Sequence, residues 1–124
     1  MSLHDDLAAR IPALTVYDGE PPATPPGRYV CLYYDTGLES ERRICAPSAH
    51  IRVDVNAVCV ARTRPGVRDA VTIVRTALNR CQPFGADSAM VEKSSGPLVT
   101  EGPAGDVRMS TTLVFTVRIR RNQL

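Results

Sequence analysis

The stretch HIRVDVNAVCVAR, residues 50–62, decides the fold. Ile51, Val53, Val55, Ala57, Cys59 and Ala61 fall on one face of an extended chain, and His50, Arg52, Asp54 and Asn56 on the other. That period of two predicts a β-strand. Val58 and Val60 make the second half apolar on both sides, so the strand starts half-exposed and ends buried. A second run, residues 107–121, repeats the pattern. Met109, Thr111, Leu113, Phe115, Val117 and Ile119 point inward; Ser110, Thr112, Thr116, Arg118 and Arg120 point outward. At about 3.3 Å per residue these runs span roughly 43–50 Å. A compact chain of this length is only about 35 Å across. The expectation is that the strands bend at bulges or project their ends for pairing with another chain. Both ribbons lying wholly inside one sealed protomer would count against this.

Between the two runs lies the main helix, expected over residues 66–80 and opened by Arg64-Pro65-Gly66. Proline suits a first helical turn. Val67, Ala70, Val71, Val74, Ala77 and Leu78 follow the spacing of one buried helical face, with Ile73 off that stripe. Near the start, Ser2 caps a short helix carrying Leu3, Leu7, Ala8 and Ile11 on one face, and Pro12 ends it. Residues 14–17 form a short extended run, and residues 89–93 a short strand. RYVCLYY, residues 28–34, is apolar on both faces and predicts a central strand covered on both sides. Asp35-Thr36-Gly37 is turn chemistry, and residues 38–45 form a charged loop or a hairpin return. DGEPPATPPG (18–27) and SSGPLVTEGPAGD (94–106) are loops rich in Gly and Pro. The first is either a stiff connector or an arm, led by Pro21 and Pro22, that touches a neighbour. The fold class expected is α+β, in one domain of residues 1–124. An antiparallel or mixed sheet of about four to five strands packs against the main helix, with the short N-terminal helix beside it.

Composition narrows function mostly by exclusion. The formal net charge of +2 is too small to argue for nucleic acid, and acidic residues are interspersed. The outward positions also lack the aromatic platforms on which single-strand binders stack bases. Fourteen of the fifteen basic residues are Arg and only Lys93 is Lys. Arg favours bidentate pairs at protein interfaces, although a GC-rich coding sequence yields the same bias. Cys31, Cys45, Cys59 and Cys81 form no Cys-x-x-Cys pair and read as reduced cysteines of an intracellular protein. No run is long and apolar enough to span a membrane, and the first residues lack a signal-peptide pattern. His4 and His50 have no second ligand at metal spacing. No nucleotide-binding loop or nucleophile elbow occurs. Neither an enzyme nor a cofactor is expected.

The order of features resembles one family. A short N-terminal helix is followed by VYDGEPPATPPGRYVCLYYDTG, by the strand–helix unit HIRVDVNAVCVARTRPGVRDAVTIVRTALNR, by a Gly/Pro loop and by MSTTLVFTVRIRR. This series resembles the tail terminator proteins of long-tailed siphophages, of the lambda-like type, especially those of actinobacteria. The resemblance covers nearly the whole chain and rests on element order and on the Tyr17-Asp18-Gly19 stretch with Pro21 and Pro22. It implies a homo-oligomeric ring, commonly a hexamer, on the finished tail tube. Such a ring stops further addition of the major tail tube protein and presents the surface that meets the head–tail connector or head-closure protein. Genomic DNA passes through the lumen without sequence-specific binding. Assembly takes place in the bacterial host cytoplasm, and the product sits in the virion at the tail–head junction. No catalytic residue carries over. The ring-interface candidates are Arg42, Arg43, Arg52, Arg62, Arg118, Arg120, Pro21 and Pro22. Arg52, Arg118 and Arg120 would face the lumen or a neighbour, and Arg42 and Arg43 a ring above or below. Other readings are a different connector ring protein, a small nucleic-acid-binding domain and, last, a small enzyme.

Overall fold

A computed structural model describes residues 2–23, 25–35, 50–86, 88–103, 105 and 107–120. Helix α1 (Leu3–Ala9) precedes β1 (Thr15–Asp18), β2 (Tyr29–Asp35) and β3 (His50–Ala61). Then come α2 (Arg64–Leu78), β4 (Val91–Ser95), β5 (Val99–Glu101) and β6 (Arg108–Arg120). The strands make one mixed sheet in the order β1-β2-β3-β6-β4, with β5 also on β6. The α+β class holds, with six strands among the described residues rather than about four to five. Helix α2 begins two residues before the expected start, because Thr63 takes the N-cap and its hydroxyl accepts from Gly66 N–H at 3.1 Å. Ser2 caps α1 in the same way, accepting from Asp5 N–H. Strand β5 falls inside the expected loop 94–106, where Val99-Thr100 forms a short ladder despite the flanking Gly and Pro.

The long-strand expectation needs correcting. No bulge interrupts β3 and β6 where they meet. They pair with each other in one unbroken antiparallel register from His50↔Arg120 to Ala61↔Met109. The far edge of β6 is taken in turn by Ala86, β4, the Gly96 N–H and β5. On its other edge β3 pairs with β2 from Asp54 to Val60. Only residues 50–53 and Ala61 of that edge lack a strand partner among the described residues. The outermost strand β4 is short, carries Glu92 and Lys93, and breaks register between Glu92 and Ser94. Such features discourage pairing with another sheet. The ribbon edges are therefore mostly sealed within the protomer.

The faces differ. On one, α1 and α2 cover a core of Leu3, Leu7, Val30, Leu32, Val53, Val55, Val74, Leu78, Phe115 and Ile119. Ile73, set off the core stripe by sequence, packs against its margin. Arg75 on α2 holds Glu92 of β4 with two hydrogen bonds, of 2.7 and 3.1 Å, and so ties the helix to the sheet edge. Among the described residues no helix lies on the opposite face. The strand at 28–34 is thus central in the sheet but covered by secondary structure on one side only, another correction to the sequence reading.

Candidate docking face

The helix-free face has two halves. One half is apolar: Tyr29, Cys31 and Val60 form a small second core, with Tyr17 and Val58 packed against it. The Tyr17 and Tyr29 rings meet edge to face, 5.7 Å between centroids. The 19–28 connection reaches this end of the sheet because β1 and β2 run parallel and need a crossover. Arg108 fixes it: its guanidinium donates to the Pro26 carbonyl at 2.8 Å and the Pro25 carbonyl at 3.4 Å, and lies over the Tyr29 ring. What remains is a groove of about 340 Å³ whose walls include Pro21, Tyr33, Val58 and Pro103. Tyr33 is 38% exposed there. Aromatic residues thus do stand on the outward face, contrary to the sequence reading. They were hidden in a run that looked buried on both sides.

The other half is polar. Asp54 and Thr116 are register partners across β3 and β6. Lys93 Nζ stands 3.4 Å from Asp54 Oδ2. Asp54 Oδ1 and Thr116 Oγ1 are both out of contact with solvent and have no hydrogen-bond partner among the described residues. Unsatisfied polar atoms of this kind are uncommon and costly. One rung further, Arg52 and Arg118 stand opposite each other, both exposed. Thr116→Val is accordingly expected to raise the melting temperature of the chain alone, by about 0.5–1 kcal/mol of stability, because it removes an unpaired hydroxyl at constant shape. Calorimetry of the two proteins checks this, and a lower melting temperature would mean that the hydroxyl is paired.

The candidates read from sequence divide between these halves. Arg52 and Arg118 stand at the polar end, and Arg120 is the register partner of His50 one rung beyond. Pro21 lines the groove at the other end, with Pro22 exposed next to it. Arg62 follows β3 there, its Nε approaching the backbone at Gly27. Arg42 and Arg43 lie outside the described residues, as do Cys45 and the charged segment around it. Sequence reasoning missed Tyr33, Arg108 and the Asp54–Thr116 pair. The signal for the first was the doubly apolar run at 28–34, and for the pair its place on one face of two strands whose mutual register was unknown.

The thiols do not suit reactive chemistry. Burial pushes Cys31 up to about 11 and Cys59 up to about 12, and raises Cys81 as well. Reactivity requires the thiolate. Burial also raises Tyr34, whose hydroxyl meets His4 Nδ1 at 2.7 Å, with Asp18 and Asp5 adding to the shift. These groups hold their protons more tightly folded than unfolded. Their stabilisation is therefore complete below the ordinary thiol value of 9.0 and declines above it, toward about 11–12. Denaturation midpoints are expected to be flat across neutral pH and to fall steadily above about pH 9. A midpoint independent of pH up to 11 would mean that the thiols and phenols are open to solvent. No group of three His, Cys, Asp or Glu able to hold a metal occurs among the described residues. No helix among them is long and apolar enough to cross a membrane.

Comparison with known proteins adds the fold's company. No protein-family profile matches the chain. No curated protein matches it by sequence. Solved structures do. A chain of the virion of a native gene transfer agent particle superposes with a TM-score of 0.59 at 19% identity, over 92% of this chain and 84% of that one. A second solved chain superposes with a TM-score of 0.58 at 21% identity, over 95% and 87%. The chain shares its fold with both.

Proposed function

We propose that this protein is a structural component of a virion, and more specifically a tail terminator. Copies form a ring, commonly of six, on the end of the tail tube. The ring halts addition of tube protein and offers its other side to the head connector, while DNA passes through the lumen without being read. The observation that carries the reading is the fold shared with a chain of a gene transfer agent virion across nearly its whole length. The helix-free face supports it. It carries an apolar groove beside the exposed Tyr33 and, further along, the exposed Arg52 and Arg118 on neighbouring strands. A neighbouring copy seated on this face removes that apolar surface from water. In this reading the protein performs no catalysis and resides at the tail–head junction.

Electron microscopy of purified tail tubes incubated with the protein tests the reading. The expected result is a ring of density on one end of each tube and a block to further growth when tube protein is added. Tubes that remain bare and keep elongating would refute it. Rings found against the portal instead would assign the chain to the head-closure layer.

A further inference from the structure

The most exposed large apolar side chain among the described residues is Phe84, at 67%. It is not on a loose tip. Its backbone N–H donates to Asp6 Oδ2 at 2.7 Å, and that carboxylate is itself held by Arg10 at 3.1 Å. Behind it the Ala86 N–H donates to the Pro83 carbonyl at 3.0 Å, and Gly85 turns the chain at a φ of +85°. Phe84 is therefore presented at the surface by a fixed scaffold, so little freedom is lost when it docks.

The groove on the helix-free face is its complement. Its volume of about 340 Å³ lies near the small end of the range for specific clefts, roughly 300–1,000 Å³. That suits one aromatic side chain better than a cofactor. Tyr33, Val58 and Pro103 supply apolar walls, and the Arg108 guanidinium stands beside Tyr29 at its rim. A guanidinium attracts the face of an aromatic ring.

Knob and groove cannot meet within one molecule. The Phe84 loop bridges to Ile119 through Ala86 and leans on α1, on the helix side of the sheet. The groove opens at Ser110 on the other side, about 30 Å back along β6. A contact between two different patches on opposite ends of identical molecules is heterologous, and its repetition makes a ring or a filament. β1, β2, β3, β6 and β4 together offer roughly 650 Å² of sheet on this side, at about 3.3 by 4.8 Å per residue, one end of it covered by the 19–28 connection, which is the scale of one partner's share of a small specific interface.

We infer that Phe84 of one copy seats in the Tyr33–Val58–Pro103 groove of the next copy. This deepens the ring reading and rests on it for the identity of the partner.

The test uses the full chain with p-benzoylphenylalanine in place of Tyr33, illuminated in the absence of tubes. The expected product is a covalent dimer in which the probe is joined to the tryptic peptide 81–93, which contains Phe84. Phe84→Ala should reduce its yield about tenfold or more, as for an interface hot spot, with the melting temperature unchanged because Phe84 is exposed in the protomer. Val58→Arg, which fills the groove from below, should do the same. Absence of a covalent dimer, a yield indifferent to Phe84→Ala, or attachment to any other segment, the protein's own residues 36–49 included, would overturn the inference. The two ideas fail separately. A chain that cross-links through Phe84 yet leaves tubes bare keeps this contact and loses the terminator reading. One that caps tubes without the cross-link does the reverse.

Discussion

Phe115→Ala is expected to destabilise the protein by about 3–5 kcal/mol, and Val114→Ala, its neighbour on the same strand, by about 1 or less. The two residues alternate across β6. Phe115 is 0% exposed and faces α2, opposite Val55 on one side and Glu92 on the other. Its removal leaves a cavity that the surrounding helices and strands cannot close. Val114 points to the helix-free face opposite Asn56 and is only partly covered. With total stabilities of roughly 5–15 kcal/mol for domains of this kind, the first substitution removes a third or more of the margin. Urea denaturation of both variants measures the difference. Equal costs would mean that a layer of protein covers the second face in the isolated chain.

Val74→Asp is expected to prevent folding altogether. Val74 is the central buried residue of α2, between Ala70 and Leu78, and is 0% exposed. Buried charged residues are absent from the described core, so no cation is at hand to pair a carboxylate there. An unpaired charge of this kind exceeds the stability of a marginal domain. The helix-covered face would lose its longest cover among the described residues, and the protein should behave as a collapsed, exchange-labile chain. Far-ultraviolet circular dichroism and hydrogen exchange report this directly. A cooperative melt near the parent's would show that α2 is not the principal lid of the core.

Much of this architecture was legible because alternation is a strong signal when one face is wet. Residues 50–61 and 108–120 show which side chains point inward without any knowledge of their partners. The Val67–Ala70–Val74–Leu78 spacing does the same for the helix. What could not be read was pairing. Two strands too long for the globule suggested overhang, when they are simply matched to each other end to end. Tyr29 and Cys31 looked like core, although what covers them is side chains and a proline-rich crossover rather than a second layer. The candidate docking face was illegible for the same reason. Asp54 and Thr116 lie far apart in sequence, and Tyr33 and Pro103 come to line one groove only once β2, β3 and β6 are in register.

The register of β6 has a consequence for how the molecule is made. This ribbon separates β3 from β4 and β5, yet it is synthesised after all three. Until it arrives, β3 exposes one entire edge and α2 has half a floor. The nascent polypeptide can collapse but cannot lock, and closure by so distant a partner is slow. The last thirteen-residue ribbon is therefore the latch of the fold: a ribosome that stalls before Arg108 releases a polypeptide whose sheet cannot close.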